Sequence, residues 1–552
     1  MNHYLKSIKN DLKILFDDSK VIITILIVFI CTIFFISRVL FNILRYYGAG
    51  DYMSILITAM EQSMWYFVLL LIVSFYYMSC LGNYHIVEAI PKEKMYWYHF
   101  ISLMIVHTGL TIGYLLINIV YGVIIKQVLW MQMFKNIFAG IFLTGIIAIL
   151  IGWNFAYIKN RIVSISGIIV FIILCSPIID IIGDMGMNLY RITDYFSILP
   201  KGMNARLNEY IGFPVQFNKL MLLGFWICMS VFFLMHHVTI HKKWFVKLVM
   251  GLFSIIFLLL FQLPYTKLYY SDDPNNSWMY AQDYYSDAVQ LEEEVNFNIE
   301  KYDLDMRITN QLHTLAKLTL NQNNLDEYKF TMYHQYKIVK ITNQDGIVLD
   351  YIQQGDYITV RNEEHLVINE LYFQYKGTGI PFYADYEGIY LRAGLAYYPV
   401  PGFLKLYDME IRKMQEVILD EPDFHIRVKA NKQVYCNLPE IGYNEFMGKA
   451  QAVTLLSGMI EISEMAGVTF IYSPLMQYEQ SHDEIQNQFV QEMLVMEENG
   501  KSDYSIIGKK VFMIARINGE PSNSFYDEHM LVEILYSKAV KEDYENYLNQ
   551  KE

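Results

Sequence analysis

The segment Trp244-Phe245-Val246-Lys247-Leu248-Val249-Met250-Gly251-Leu252-Phe253-Ser254-Ile255-Ile256-Phe257-Leu258-Leu259-Leu260-Phe261-Gln262-Leu263 is followed at once by Pro264-Tyr265 and then by sequence of a different chemistry. Between Phe245 and Leu263 the only charge is Lys247. The run is long enough to cross the roughly 30 Å hydrocarbon layer of a bilayer as a helix. Residues 1–265 hold 19 Lys and Arg against 11 Asp and Glu, a balance of +8. The rest of the chain holds 24 against 45, a balance of −21. A basic, apolar half joined to an acidic half reads as a membrane domain followed by a water-exposed one. Over all 552 residues the chain is 54% hydrophobic and 18% charged, with a net charge of −13. Soluble domains carry about a quarter charged residues, so this composition excludes a purely soluble enzyme and a disordered chain. The negative charge excludes a nucleic-acid partner, which needs a basic face.

Six more apolar runs precede this one, at Val21–Ser37, Ile55–Leu81, Phe100–Ile125, Ile137–Tyr157, Ile162–Ile182 and Phe217–Met235. Together they predict a membrane α-helical bundle of about seven spans over residues 21–264. Basic residues set the orientation. Lys6, Lys9, Lys13 and Lys20 precede the first span, Lys92 and Lys94 follow the second, Lys159 and Arg161 the fourth, and Lys242, Lys243 and Lys247 the sixth. All share one side if the N-terminus is cytoplasmic. An odd number of spans then places everything after Leu263 outside the cell. Residues 1–20 read as a cytoplasmic interface helix, since Leu5, Ile8, Leu12, Leu15 and Phe16 recur at helical spacing between Lys6, Lys9 and Lys13. No small-residue cleavage site follows the first span, which reads as an anchor rather than a signal peptide.

Polar side chains are costly in hydrocarbon and mark either paths or helix contacts. Glu61 in the second span, Asn118 in the third and Asn154 in the fourth are candidates for lining a translocation path. The other reading is hydrogen bonding between helices, or for Glu61 exposure at the interface. Two connectors stand out. One is Asn83-Tyr84-His85-Ile86-Val87-Glu88-Ala89-Ile90-Pro91, a short helix-forming run after the second span. The other, Gly183–Gln216, is long, holds Asp184, Asp194, Pro200 and Pro214, and has the character of a segment that re-enters the outer leaflet.

An amphipathic N-terminal helix, six core spans, a Glu-x-x-Pro loop after the second span and a broken segment before the sixth resemble type-2 ABC exporter permeases. The resemblance implies that Asn83, His85, Glu88 and Pro91 form a coupling loop that docks on a separate ATPase. It also implies a second permease copy or a related permease as partner, and a bacterial plasma-membrane location. The seventh span departs from the simplest family members and is what an external C-terminal domain requires. No G-x-x-x-x-G-K-[ST] phosphate loop occurs in the sequence, so ATP hydrolysis is expected on another polypeptide.

Beyond the spans, residues 265–296 read as a juxtamembrane stalk. Tyr265, Tyr269, Tyr270, Trp278, Tyr280, Tyr284 and Tyr285 form an aromatic belt there. From Phe297 strands alternate, at Tyr302–Ile308, Ala316–Leu320, Tyr336–Ile341, Tyr357–Arg361, Leu366–Ile368 and Glu370–Tyr375, with turns at Asn323-Asn324, Gln344-Asp345-Gly346 and Gln354-Gly355-Asp356. Short strands with regular turns predict an extracellular, mainly-β antiparallel sandwich over residues 297–475. A small α/β extension over 476–552 follows, with a helix at Asp483–Glu498 and a strand at Lys510–Ile514.

Leu371–Gly377, Gly394-Leu395-Ala396-Tyr397-Tyr398-Pro399-Val400-Pro401-Gly402 and the strands Phe424–Lys429 and Ala452–Gly458 resemble the N-terminal part of aminopeptidase N family zinc peptidases. The zinc signature of that family, two His four apart on a helix with an adjacent Glu, does not occur in the ectodomain sequence. The only i, i+4 pair, His237 and His241, lacks the Glu and lies at a basic helix end. Gly458-Met459-Ile460-Glu461 is too loose a match to the family's substrate loop and reads as a strand end. The resemblance therefore implies a peptidase-like module without hydrolysis, metal or cofactor. Cys31, Cys80, Cys175 and Cys228 fall in or at the ends of spans and Cys436 stands alone outside, which leaves no internal disulfide in the ectodomain.

The expectation is a permease subunit of an ABC exporter in contact with membrane lipid and driven by cytoplasmic ATPases. Peptides would be its cargo or ectodomain ligand, as in protection against an antimicrobial peptide, with the acidic ectodomain steering cationic ones. The alternative is a membrane-anchored peptide-recognition or sensory protein.

Overall fold

The computed structural model describes residues 2–19, 22–23, 27, 50–80, 92–124, 130–176, 194–199, 210–212, 215–237, 243–263, 284–379, 382–476, 481–499, 505–514, 523–533 and 538–551. The expected first span, Val21–Ser37, lies almost wholly outside these residues, as do the loop 81–91 and most of 265–296. The chain divides into two compact units. One is Met1–Leu207 with Gly212–Leu263, and the other is Asn208–Ile211 with Pro264–Glu552.

The first unit is helical, with α1 (Asn2–Asp17), α2 (Gly50–Cys80), α3 (Lys92–Ile124), α4 (Trp130–Ile137), α5 (Thr144–Ala156), α6 (Arg161–Cys175), α7 (Phe217–His237) and α8 (Lys243–Phe261). A π-helical turn, Phe138–Leu143, makes α4 and α5 one rod. Four helices are long and apolar enough to cross a membrane, at Trp97–Val120, Met133–Ala156, Phe217–His237 and Lys243–Phe261. Ser63–Ser79 and Arg161–Cys175 are shorter apolar helices. The apolar run from Trp244 to Phe261 lies in α8, whose Leu252, Phe253, Ile255, Ile256 and Leu259 are all exposed. So broad an apolar surface is unstable in water and stable in lipid.

The bundle core gathers Phe67, Leu71, Ile147, Ala148, Ile149, Trp153 and Leu223, all essentially inaccessible. α2 crosses α5 closely. A Cβ on Gly152 would lie 2.7 Å from the Leu71 carbonyl oxygen and 2.9 Å from the Phe75 nitrogen, while Ser74 donates to the Ile149 carbonyl at 2.8 Å. Small residues admit such close backbones in apolar surroundings. α6 starts where Asn160 accepts a hydrogen bond from the Ile162 amide at 3.0 Å, an N-cap.

The second unit is mainly β, with a small α/β part. A seven-stranded sheet runs β15 (Glu440–Gly442), β16 (Glu445–Lys449), β13 (Asp423–Lys429), β1 (Ile299–Ile308), β2 (Leu312–Leu320), β7 (Glu370–Gly377) and β4 (Tyr336–Asn343), and a four-stranded one runs β10 (Val400–Pro401), β3 (Glu327–Thr331), β6 (Tyr357–Arg361) and β5 (Asp350–Gln354). β2 (Leu312–Leu320) shows the expected alternation, with Leu312, Ala316 and Leu318 inward. The two inner faces meet where Phe330 of β3 (Glu327–Thr331) stands edge-on to Phe373 of β7 (Glu370–Gly377), ring centroids 5.1 Å apart. A third sheet runs β14 (Tyr435–Cys436), β17 (Leu455–Ser457), β9 (Gly388–Leu391) and β8 (Tyr383–Asp385), with β17 shorter than the expected Ala452–Gly458. The α/β part is a five-stranded sheet, β18 (Glu461–Met465), β19 (Val468–Tyr472), β20 (Lys510–Met513), β22 (His529–Val532) and β21 (Asn523–Phe525), with α9 (His482–Asn499) and α10 (Lys538–Lys551). It draws in β18 (Glu461–Met465) and β19 (Val468–Tyr472), upstream of residue 476.

Three expectations are corrected. The sandwich is not wholly antiparallel, because β1 (Ile299–Ile308) pairs in parallel with β13 (Asp423–Lys429). Leu366–Ile368 is not a strand. Asn362 accepts from the Leu366 amide at 2.8 Å and donates to the Leu366 carbonyl, which turns the chain at His365 (φ 49°) and leaves no free ladder groups. Tyr284 and Tyr285 are not part of an interfacial belt. Tyr285 is buried, donates to Asp356 at 2.9 Å and stacks on Tyr407, while the Tyr284 ring stacks 3.5 Å from that of His334. His334 in turn meets Asp356 at 2.9 Å. Buried Asp356 needs these donors and draws the end of the linker into the sandwich.

Gly152→Leu should force α2 and α5 apart. Overpacking costs about 1–3 kcal/mol, so the purified protein in detergent should denature at a lower temperature, whereas Gly109→Leu, at a position with open space around it, should leave the midpoint in place.

Candidate functional site

Three polar clusters concentrate the chemistry of the described residues. The first lies at the end of the helical unit where α2 stops and α3 starts. α1 lays Ile8, Asp11, Leu12 and Leu15 against the bundle, with Asp11 and Leu15 buried and Lys6, Lys9 and Lys13 in solvent. Phe16 faces outward, unlike the expected apolar stripe. Asp11 is paired with His99 of α3, and Tyr77 of α2 donates to the Asp11 carbonyl at 3.3 Å. The His99 ring packs 4.5 Å from that of Tyr77. The carboxyl end of α2 and the amino end of α3 therefore lie at the same end of the bundle as α1. The candidate residues between them, Asn83, His85, Glu88 and Pro91, lie outside the described residues.

The second cluster is inside the bundle. His107 of α3 is fully buried. Its Nε2 is 3.0 Å from the Phe142 carbonyl and its Nδ1 is 2.5 Å from the Tyr66 hydroxyl. A carbonyl only accepts, so Nε2–H donates to Phe142, and the Tyr66 hydroxyl, which can donate or accept, partners Nδ1. Both ring nitrogens are satisfied. Phe142 belongs to the π-helical turn, where the ladder shifts from i+4 to i+5 and strands carbonyls. Thr144 covers another of them, donating to the Gly140 carbonyl at 2.5 Å. Gly145 makes room for the histidine, since a Cβ there would lie 2.2 Å from His107 Cε1.

Glu61, Asn118 and Asn154 are the sequence candidates in this unit, and His107 is not among them. The signal available was a titratable residue in mid-span with a glycine on a neighbouring helix. Asn118 donates to the Tyr114 carbonyl within its own helix at 2.8 Å, and Asn154 to Leu150 at 2.8 Å and to Ser230 of α7 at 2.9 Å. Asn154 thus links two helices. Glu61 lies in α2, with its side chain outside the described residues. Among the described side chains, Asn118, Asn154 and His107 make their hydrogen bonds to separate partners.

The third cluster joins the α/β part to the sandwich. Arg392, next to β9 and buried, donates to Glu416 at 3.1 Å and also to Ser524. His529 of β22 (His529–Val532) is fully buried. Its Nε2 is 3.0 Å from the Thr454 hydroxyl, and its Nδ1 lies 3.3 Å from Glu528 Oε1, outside hydrogen-bond geometry. The Tyr526 ring stacks on it at 4.7 Å. Burial holds the imidazole below its ordinary range, against the upward pull of Glu528. On the outer face of β1 and β13, Arg427 spans Asp303 (2.7 Å) and Asp305 (2.6 Å), and His425 meets Glu445 at 2.7 Å. The Arg427 bond is the main reason the Asp305 carboxyl sits below its usual range. Among the described residues no group of three or more His, Cys, Asp or Glu is placed to hold a metal ion. Cys175, Cys228 and Cys436 are buried free thiols.

No family model and no curated protein matches the chain. Solved structures of zinc peptidases are similar to part of it at low identity. Yeast LTA4 hydrolase in complex with bestatin has a TM-score of 0.31 and 11% identity over 46% of this chain and 44% of that one. A variant of an M1 zinc metallopeptidase from Deinococcus radiodurans, bound to a Tyr-Ser-Ala substrate, has a TM-score of 0.31 and 12% identity over 47% of this chain and 65% of that one. The chain spans less than two thirds of either neighbour, and at such TM-scores no activity follows from the likeness.

Two predictions follow from the geometry. His107→Leu strands the Phe142 carbonyl and the Tyr66 hydroxyl away from water and should cost about 1–3 kcal/mol, read as a lower denaturation temperature in detergent, whereas His107→Gln, which keeps a donor and an acceptor, should recover part of it. His529 binds its proton less readily folded than unfolded, so the unfolded chain binds more protons below its ordinary value of about 6.5. Stability should therefore fall as pH drops from about 7 toward 5, and His529→Asn should flatten that dependence in a urea titration followed at several pH values.

Proposed function

We propose that this chain is a permease subunit of an ATP-driven exporter of the type-2 ABC class. It works with separate cytoplasmic ATPase subunits and a second permease. The observation that carries this reading is the shared end of the helical unit. An amphipathic helix is pinned there by Asp11, Tyr77 and His99, where α2 ends and α3 begins. Three lysines of α1 face solvent at that end. A basic, amphipathic helix of this kind lies along a membrane interface, and in this reading the Asn83–Pro91 segment between α2 and α3 meets the ATPase on that side. Helices apolar enough to span a bilayer support the membrane location.

The second unit acts as a non-hydrolytic peptide-recognition module outside the membrane. In this reading its acidic surface draws cationic peptides, and peptide binding is coupled to transport or to protection against the peptide. Glu88 is the coupling carboxylate at the ATPase contact.

The experiment is affinity purification of the tagged full chain from its own host, followed by ATPase assay. An ATPase subunit should co-purify, and its activity should rise on addition of a cationic peptide. Glu88→Ala should lower the recovered ATPase about tenfold without lowering the amount of folded permease. Recovery of a signalling kinase instead of an ATPase, or of no ATPase at all, would overturn the reading.

A further inference from the structure

The second unit receives the chain twice. One entry is the main one after α8, anchored by Tyr284 and Tyr285. The other is Asn208–Ile211, four residues from the connector between α6 and α7. Tyr210 and Ile211 are among the most buried residues of the unit, with 1% and 0% exposure. A surface loop has no need of such burial.

Tyr210 touches three separate pieces of the unit. Its carbonyl accepts from the Met459 amide at 2.7 Å, in the turn that leads into β18. Its hydroxyl donates to the Met513 carbonyl at 3.1 Å, at the carboxyl end of β20 (Lys510–Met513). Its ring lies 5.2 Å from that of Tyr390 in β9. Two glycines make the seat. A Cβ on Gly458, whose φ is 147°, would lie 2.4 Å from the Tyr210 carbonyl oxygen, and one on Gly388 would lie 2.7 Å from Ile211 Cγ1. Tyr210 thus bridges the sheet that contains β9 and the five-stranded sheet that contains β18 and β20.

We propose that Tyr210–Ile211 is a coupling clasp, through which the sheet that contains β9 and the five-stranded sheet constrain each other. Tyr210 bonds to the turn before β18 and to the end of β20 while its ring packs on Tyr390 of β9, so a shift of one sheet against the other breaks the clasp. Coupling of this kind is reciprocal. Whatever unseats Tyr210–Ile211 must alter the sheet junction by the same free energy. The proposal stands on the clasp alone and does not depend on the exporter reading.

The test is hydrogen exchange measured by mass spectrometry on the full chain in detergent, following peptides that cover 205–216, 386–392, 456–465 and 510–514. In the wild type the amides at 210–212 should exchange as slowly as those of β9. Tyr210→Ala should speed exchange tenfold or more in 205–216 and also in 456–465 and 510–514, leaving β1, β2 and β7 unchanged. Tyr210→Phe, which keeps the ring and loses only the hydroxyl bond, should speed 510–514 by a few-fold, and it serves as the folded control if the alanine variant fails to fold. Gly458→Val should release the segment with Tyr210 intact. Loop-like exchange at 210–212 in the wild type, or unchanged exchange at 456–465 and 510–514 in the variants, would overturn the proposal.

Discussion

A backbone carbonyl shut away from water must find a donor, and in this protein side chains supply many of them. In the helical unit His107 and Thr144 answer carbonyls displaced by the π-helical turn. Asn154 donates to the Ser230 carbonyl across two helices, and Asn218 caps α8 by donating to the Phe261 carbonyl at 2.9 Å. In the β unit the donors are tyrosines. Tyr302 reaches Pro399 at 3.0 Å, Tyr375 reaches Tyr397 at 2.9 Å, and Tyr397 reaches Val453 at 2.9 Å. An unmet buried carbonyl costs more than a formed bond gains. These few side chains therefore decide which helix faces and which loop segments come together.

The same requirement explains the aromatic content of the chain. A tyrosine buries a large ring and still delivers a hydroxyl at its tip, which suits irregular segments such as Gly394–Gly402 that run through the core without a full ladder. Tyr210 applies this to a connector of the helical unit, and Tyr284 and Tyr285 apply it to the linker. Both routes into the β unit are thus held by tyrosine.

The candidate residues are legible in the sequence to different degrees. The apolar runs, the amphipathic N-terminal helix and the alternating strands follow from composition and periodicity, because burial against lipid or core selects residues at fixed spacing. Asn154 was visible as an amide in a span, though only the structure gives its partner, Ser230. His107 was hidden in the same way: its neighbour Tyr66 and its partner carbonyl in the π-helical turn are far along the chain, and no local pattern marks a displaced ladder. Tyr284 and Tyr285 misled, since a cluster of tyrosines after a span has the composition of an interfacial belt. What moved them inward was a buried carboxylate, Asp356, lying 71 residues on from Tyr285.

The sequence by itself marked a division near Tyr265, where composition changes from apolar and basic to polar and acidic. It also determined the helical and β character of the two halves. Only the tertiary structure decided that β1 pairs in parallel with β13, that His107 is held between Tyr66 and the π-helical turn, and that Tyr210 belongs to the second unit. Each of these rests on a donor meeting an acceptor, or a side chain meeting a glycine, across a long stretch of chain. Periodicity records which face of an element is buried, whereas the partner it is buried against is fixed by three-dimensional packing alone.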